Sequence, residues 1–201
     1  MQTTPQDLIS PIGAAGHYAL AIQTGAIAAG AAADAEVLQF RWASTSRLAV
    51  IHKIAVTGMR ASTAFAAGSI DIKATIARAW TAAGTGGTAL TLTSDQNGLR
   101  ASYEDSVASV RIATTAALGA GTKTLGTYDI GQITTHSSGG TGSATPIIGS
   151  IFLPKVELFD SQAERGGSPL VLANEEGFVI RATVPGTGVW NLGVEVIWAE
   201  V

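Results

Sequence analysis

Residues 169–201 alternate apolar and polar side chains more strictly than any other stretch of the chain. The even positions are apolar on both sides of a connection at residues 185–188, and they are Phe178, Ile180, Ala182, Val184, Trp190, Leu192, Val194, Val196 and Trp198. A period of two is that of a β-strand with one buried face. Pro185 and the two glycines of the connection suit a turn, so the pattern predicts a hairpin with one dry face. A second layer of strands must cover that face.

The same even parity recurs in the first half of the chain. Its members are Tyr18, Leu20, Ile22, Leu38, Phe40, Trp42, Leu48, Val50, Ile54, Val56, Ile70, Ile72, Ile76 and Trp80. Segments rich in turn-forming residues separate these runs, at residues 25–34, 44–46, 58–68 and 81–88. We therefore predict an all-β fold, a single-domain, jelly-roll-like β-sandwich of about ten strands, with a core of even-numbered apolar residues.

Weaker patterns complete the predicted set of strands. Short apolar runs predict strands at residues 90–93, 107–114, 128–133, 151–159 and 169–172. Residues 134–150 are rich in Ser, Gly and Thr, which predicts a long surface loop. A helix competes with the strand assignment at residues 25–39, where alanine favours a helical turn or two.

The chain divides into an arm and one domain. Its 201 residues fit a single core, so residues 17–201 are assigned to one β-sandwich domain. Residues 1–16 carry Pro5 and Pro11 and show no periodicity, which favours an extended N-terminal arm.

Three large apolar residues lie on this arm: Leu8, Ile9 and Ile12. A segment so interrupted by proline and glycine cannot bury them by itself, so we expect them to dock into a groove on another chain. They are the candidate partner-binding residues of the sequence.

The composition is weakly charged. Charged residues make up 13% of the chain, and the 12 basic residues are scattered singly within a net charge of -3, which argues against binding to nucleic acid or to an anionic membrane. A surface so poor in charge suits coverage by neighbouring chains, so we expect a homo-oligomer. The sequence has no cysteine, so neither a disulfide nor a thiol nucleophile is possible.

Nothing in the sequence predicts secretion or membrane insertion. The N-terminal stretch has no basic segment followed by an apolar one, so we expect the protein to stay in the cytoplasm or to leave by lysis. The longest uncharged windows, residues 8–33 and 130–154, are dominated by small residues and predict no membrane-spanning helix.

The candidates for chemistry are few. His17, His52 and His136 have no carboxylate at ligand spacing, so we assign them to core or turn positions and predict no metal site. Residues 95–98 begin like a calcium-binding loop, but Ser106 stands where the closing glutamate belongs, so a plain turn is predicted.

The acidic pairs and the tryptophans have structural interpretations. Glu104 and Asp105 are adjacent, as are Glu175 and Glu176, and neighbours on a strand point to opposite faces, so we predict solvated turns and no acid and base pair. The four tryptophans share the apolar parity and are assigned to the core, with a sugar-stacking platform as the alternative. We predict no catalytic residue and no cofactor.

Three segments of the chain resemble a group of tailed-bacteriophage proteins encoded among virion genes. They are AEVLQFRWASTSRLAVIHKIAV at residues 35–56, FAAGSIDIKATIARAW at residues 65–80 and EGFVIRATVPGTGVWNLGVEVIWAEV at residues 176–201. The resemblance implies a capsid decoration, or cement, protein. Such a protein is a non-enzymatic β-sandwich or jelly roll that sits on the outside of the head shell as a small symmetric oligomer and clamps neighbouring capsid subunits.

The resemblance also sets the expected partners. They are the major capsid protein and further copies of this chain in a homotrimer, with the capsid surface of the virion as the location and the host cytoplasm as the place of synthesis. No active-site residue is carried over. The alternative function is a tail- or fibre-associated β domain that binds a receptor glycan through the loops at residues 81–88 and 134–150 or through an exposed tryptophan.

Overall fold

The computed structural model describes residues 16–28, 33–99, 103–137, 155–162 and 168–201. These residues form twelve strands and one helical turn, α1, at Ser94–Asn97. The strands are β1 Gly16–Gln23, β2 Ile27–Ala28, β3 Ala35–Trp42, β4 Ala49–Thr63, β5 Gly68–Ala82, β6 Thr88–Ala89, β7 Ser109–Ile112, β8 Thr122–Ser137, β9 Val156–Asp160, β10 Leu170–Leu172, β11 Glu176–Thr183 and β12 Val189–Glu200. Helix accounts for 3% of the structure, which confirms the predicted all-β fold.

The strands form two antiparallel sheets whose pairing is nested along the chain. The first sheet has the order β1-β12-β4-β10, with β2 also on β12 and β9 also on β4, and the second has the order β6-β7-β3-β11-β5-β8. The first strand therefore pairs with the last, β3 pairs with β11, β4 with β9 and β10, and β5 with β8. A chain folded double in this way and then rolled over itself is a jelly roll. The predicted jelly-roll sandwich is confirmed.

The predicted hairpin near the C-terminal end is wrong. β11 lies between β3 and β5 in the second sheet, whereas β12 lies between β1 and β4 in the first. The connection at residues 184–188 crosses between the sheets. It passes through Gly188 at φ 111°, where a Cβ would stand 2.7 Å from Phe65 Cδ1. Alternation reports which face of a strand is buried and not which strand lies beside it, so a hairpin and a crossing give the same pattern.

The core lies between the two sheets and consists largely of the predicted even positions. Buried are Tyr18, Leu20, Leu38, Phe40, Trp42, Ile54, Val56, Ile70, Ile72, Phe178, Ile180, Ala182, Trp190, Leu192, Val194, Val196 and Trp198. Tyr18 stacks on Trp198 at 5.3 Å between ring centroids, within the first sheet. Trp198 meets Phe40 edge-on at 5.3 Å, and Phe40 stacks on Phe178 at 5.0 Å in the second sheet. This line of rings joins the two layers.

The even parity fails in β4, because β-bulges shift its register against β12. They lie opposite Ile197/Trp198 and Gly193/Val194, and each inserted residue reverses the faces of the residues that follow. The residues of β4 that enter the core are Ala49, Ile51, Ile54, Val56, Met59 and Ala61. The prediction of Leu48 as a core residue is therefore wrong, whereas Val50 is buried as predicted, at 6% exposure, but outside the main core cluster. Leu48 is 42% exposed, and Val50 pairs with Ala199 on the outward face of the sheet.

The parity also fails near the end of β5. Ala79 has φ 49°, and the irregular pairing there turns Trp80 to the outer face of the second sheet. Trp80 is fully buried, as predicted, but in a small second core cluster with Ala77 and Val179 on that face and not between the two sheets. Gly177 leaves room for the indole, whose Cε3 lies 2.9 Å from where a Cβ would stand. Ile76, also predicted as core, is partly buried.

Two strands are longer than predicted. β4 continues through residues 58–63 and β8 through residues 134–137, which the sequence assigns to loops. A long antiparallel strand tolerates the Gly, Ser and Thr of these segments because its neighbour supplies the hydrogen bonds. The rest of the predicted loop at residues 134–150, and residues 151–154 of a predicted strand, lie outside the described residues.

The weaker assignments have mixed outcomes. Residues 90–93 form no strand, and the short β6 precedes them. The helical alternative at residues 25–39 is not found in the described part of that segment, which contains β2 and most of β3. Residues 95–98, which begin like a calcium loop, lie in α1 and directly after it.

Replacing Trp198 by alanine should lower the free energy of unfolding by about 3–5 kcal/mol, because it leaves a cavity between Tyr18 and Phe40. Glu195→Ala is the matched control on the same strand. The Glu195 carboxylate faces outward and pairs with Lys155, a surface ion pair worth at most about 1 kcal/mol. Urea denaturation of both variants measures the difference, and equal losses would contradict the core position of Trp198.

Candidate functional site

The predicted partner-binding residues Leu8, Ile9 and Ile12 lie outside the described residues. The structure does place the point at which their segment joins the domain. β1 begins at Gly16, which pairs with Glu200 of β12. The next residue along the chain, His17, lies on the outer face of the first sheet. This face is therefore the candidate interaction surface.

The outer face of the first sheet includes four small residues, Ala19, Ala21, Gly193 and Ala199. The register of β1 and β12 places alternate residues on it: His17, Ala19, Ala21, Gln23, Asn191, Gly193, Glu195, Ile197 and Ala199. Four of its charged side chains form two ion pairs, Lys53 with Glu157 and Lys155 with Glu195, whereas Arg60 is in none of the ion pairs of the described residues. Another polypeptide can approach the small residues of this face closely, and the ion pairs reduce the number of single charges that it would desolvate.

Two recesses open on this face. The arginine recess, of about 490 Å³, is lined by Ala21, Ile22, Gln23, Thr57, Gly58, Met59, Arg60 and Gly193. The histidine recess, of about 300 Å³, is lined by His17, His52, Lys53, Leu99, Asp160, Ser161, Gln162 and Ile197. Gly193 pairs with Gln23 and Ile197 pairs with Ala19, so the two recesses lie at different levels along the same pair of strands.

His17 and His52 meet in the histidine recess. Their ring centroids are 5.8 Å apart and their planes are at 82°. β12 lies between their strands, and its residue opposite His17 is the small Ala199. The Nε2 atom of each ring is buried without a hydrogen-bond partner. The sequence predicts no pairing of histidines, so this contact is a correction, whereas His136 lies on β8 of the other sheet.

Burial lowers the pKa of His17, and burial together with the neighbouring His17 ring lowers the pKa of His52. Both imidazoles are then neutral at pH 7. Lys53 and Asp160 face the same recess. Tyr103 packs against His17 with 6.5 Å between ring centroids. Across the described ranges, no three His, Asp or Glu side chains are placed to hold a metal ion together.

The segment that follows α1 covers the edge of β1 beside the histidine recess. The N–H of Leu99 donates to the carbonyl of His17 at 2.8 Å, and the Tyr18 hydroxyl donates to the carbonyl of Glu104 at 2.7 Å. Burial raises the pKa of Tyr18 to about 12, and the Glu200 carboxylate adds to the effect. The chain itself occupies this edge, so the face of the sheet is the surface offered to a partner.

The acidic pairs singled out in the sequence, Glu104 with Asp105 and Glu175 with Glu176, lie in or beside loops and make structural contacts. Glu104 pairs with Arg47, and Asp105 accepts a hydrogen bond from the N–H of Ser94 at 2.7 Å. Glu175 has φ 62°, and the Glu176 carboxylate accepts from the N–H of Ala173 at 2.8 Å. Glu104 therefore binds a residue distant in sequence, Asp105 and Glu176 each accept from a backbone N–H, and the members of each pair do not face one another as an acid and a base would.

Ion pairs cover part of the outer face of the second sheet. Lys123 Nζ lies 2.8 Å from Glu36 and 4.6 Å above the ring of Trp80. The side chains of Lys123 and Glu36 are 2% and 9% exposed. Arg181 donates to Asp129 at 2.9 Å and so links β11 to β8. These contacts fix the long edge strand β8 in place.

The described surface offers few aromatic side chains for the alternative function, the binding of a receptor glycan. All four tryptophans are fully buried. The predicted binding loop at residues 81–88 is tied to the neighbouring loop by reciprocal hydrogen bonds between Thr85 and Gly119, at 3.3 and 2.9 Å. Tyr128 on β8, 85% exposed, is the most exposed aromatic residue of the described ranges.

The sequence pattern does not predict the arginine recess. Ala21, Arg60 and Gly193 come from three strands, and alternation does not show that these strands are neighbours. A partial signal is present in the odd positions of β1 and β12, where Ala19, Ala21, Gly193 and Ala199 stand at places that on a solvent-facing strand normally carry larger polar residues.

Comparison with models of protein families, with curated proteins and with solved structures found no match to the chain. A membrane-crossing helix, which needs a long apolar segment, is not found in the ranges described. The function therefore rests on the surface and on the sequence.

Lowering the pH from 7 to 5 should destabilise the protein through His17 and His52. Both pKa values are lowered from 6.5 in the folded state, so the unfolded chain binds more protons in this range. The free energy of unfolding should be constant above about pH 7 and should fall as the pH drops through about 6.5. Urea denaturation at a series of pH values measures this dependence.

The double variant His17→Gln/His52→Gln should lose most of the slope between pH 7 and 5.5. His136→Gln, on the exposed part of β8, is the control and should keep it. Identical slopes in the three proteins would show that the pair does not control the pH dependence.

Lys123→Met should lower the free energy of unfolding by about 3–5 kcal/mol, because it leaves the Glu36 carboxylate buried without its cation. Lys155→Met is the control at an exposed ion pair and should cost about 1 kcal/mol or less. Denaturant unfolding of both variants tests this, and a neutral Lys123→Met variant would contradict the structural role of the pair.

Proposed function

We propose that the chain is a non-enzymatic structural protein of a tailed-phage virion, a decoration or cement protein that binds the outside of the head shell and stabilises it. The observation that carries the proposal is the outer face of the first sheet. This face carries the small residues Ala19, Ala21, Gly193 and Ala199, two ion pairs and two recesses, and the N-terminal arm joins β1 of the same sheet.

Physical chemistry supports the use of this face in assembly. Small side chains let two backbones approach closely, and paired charges remove the penalty of burying single ones. Two large apolar residues are exposed next to the same sheet, Leu99 at 59% and Val171 at 46%. Each would gain free energy, up to about 1.5–3 kcal/mol when fully covered.

The assignment to a phage head comes from the sequence resemblance of residues 35–56, 65–80 and 176–201. Its implied partners are the major capsid protein and further copies of the chain in a closed trimer, located on the capsid surface. The jelly-roll sandwich and the small residues of the outer face support this assignment. Three of the acidic residues singled out in the sequence have structural partners: Glu104 pairs with Arg47, and Asp105 and Glu176 accept from backbone N–H groups.

Deleting residues 1–12 should leave the melting temperature nearly unchanged and should lower the occupancy of the protein on phage heads. Leu8, Ile9 and Ile12 could together contribute roughly 4–8 kcal/mol of burial, offset by the cost of ordering the arm at about 1 kcal/mol or more per residue. The net effect is small for one arm and large for several arms acting on one oligomer.

Co-sedimentation with heads that lack the protein measures this occupancy. The variant Leu8→Ser/Ile9→Ser/Ile12→Ser should behave like the deletion, whereas Thr3→Ser/Thr4→Ser, on the same arm, should decorate normally. Full decoration by the deletion variant would show that the arm is not an anchor.

A further inference from the structure

The two recesses on the outer face of the first sheet have a defined spacing. Ile197 lines the histidine recess and Gly193 lines the arginine recess, and both belong to β12. Four residues of a strand span about 13 Å. A segment that fills both recesses must therefore present two apolar side chains about this distance apart on one side.

The N-terminal arm has this spacing. Leu8 and Ile12 are four residues apart in the sequence. In an extended chain, residues separated by an even number point the same way, so the two side chains would stand on one side at the required distance. The proline-marked sequence of this segment favours that extended conformation.

The same placement of the arm also brings together two opposite charges, one on the arm and one at the arginine recess. Asp7 is the one charged side chain among residues 1–16, and it is adjacent to Leu8. Arg60 lines the arginine recess and takes part in none of the ion pairs formed among the described residues. With Leu8 in that recess, the neighbouring Asp7 points away from the sheet, and the exposed Arg60 side chain is long enough to turn around the segment toward its carboxylate.

The direction of β1 indicates whose arm fills the recesses. β1 runs from Gly16, at the histidine recess, toward Gln23, at the arginine recess. A straight continuation backward from Gly16 leads away from both recesses of its own sheet. Nine residues, 7–15, span up to about 30 Å when extended, which is enough to reach a neighbouring molecule.

We infer that residues 7–12 of one copy bind the outer face of the first sheet of a second copy, with Leu8 in the arginine recess, Ile12 in the histidine recess and Asp7 paired with Arg60. This inference deepens the proposed function, on which it rests, because it names the partner of the arm. The exchanged arms would link copies of the chain to one another.

Engineered disulfides test the exchange directly, because the chain has no cysteine of its own. A Leu8→Cys chain and an isotopically labelled Ala21→Cys chain are mixed and oxidised gently. The bridged peptides are then identified by mass spectrometry. We expect a bridge between position 8 of one chain and position 21 of the other. Tyr128→Cys, more exposed but on the second sheet, is the control and should bridge at least tenfold less.

A charge exchange tests the register in the same assay. Adding Asp7→Arg to the Leu8→Cys chain should lower the bridge yield several-fold. Adding Arg60→Asp to the Ala21→Cys chain as well should restore it, because the pair then has opposite charges again.

Three outcomes would overturn the inference: equal bridging to position 128, no bridge to position 21, or a bridge found only within single chains of a Leu8→Cys/Ala21→Cys variant. If one of these occurs while decoration of heads still requires the arm, the proposed function stands and the arm binds the shell. If the bridge forms and the heads remain undecorated, the proposed function fails and the arm exchange stands.

Discussion

The stacked rings of Tyr18, Trp198, Phe40 and Phe178 are the contact on which the rest of the structure depends, since the two sheets share no strand. Aromatic pairs contribute about 0.5–1.5 kcal/mol each beyond the burial of their surface. Here they also fix one layer against the other. With the inner side of each sheet committed to this packing, the outer side of the first sheet is left for contacts with other molecules.

The sequence predicts which side of a strand is buried better than it predicts which strands lie next to one another. Alternation identifies the buried side of β11 and β12 correctly, yet it cannot show that they lie in different sheets, because burial from either side of a core gives the same period. Leu48 is exposed, and Trp80 is buried outside the space between the sheets, for a related reason. Bulges in β4 and the positive φ of Ala79 change the parity, and neither has a signature in side-chain hydrophobicity.

For the candidate surface too, the sequence predicts the general character of the face but not which residues meet on it. Low charge and abundant alanine predict a face to be covered, and the outer side of the first sheet has this character. The meeting of His17 with His52, and of Arg60 with Ala21 and Gly193, depends on strands that pair across long stretches of sequence. No local pattern encodes such contacts, whereas the spacing of Leu8 and Ile12 can be read without the fold and becomes meaningful only beside the recesses.

The nested pairing of strands also orders the events of folding. β6 with β7 is the innermost of the nested pairs, β5 with β8 encloses it, and each further pair outward, to β1 with β12, joins more distant parts of the chain. Because closing long loops costs entropy before any contact is gained, such topologies fold in about milliseconds to seconds. The sandwich should therefore close from its middle outward. The final step is then the insertion of β12 between β1 and β4, which completes the first sheet and its outer face together.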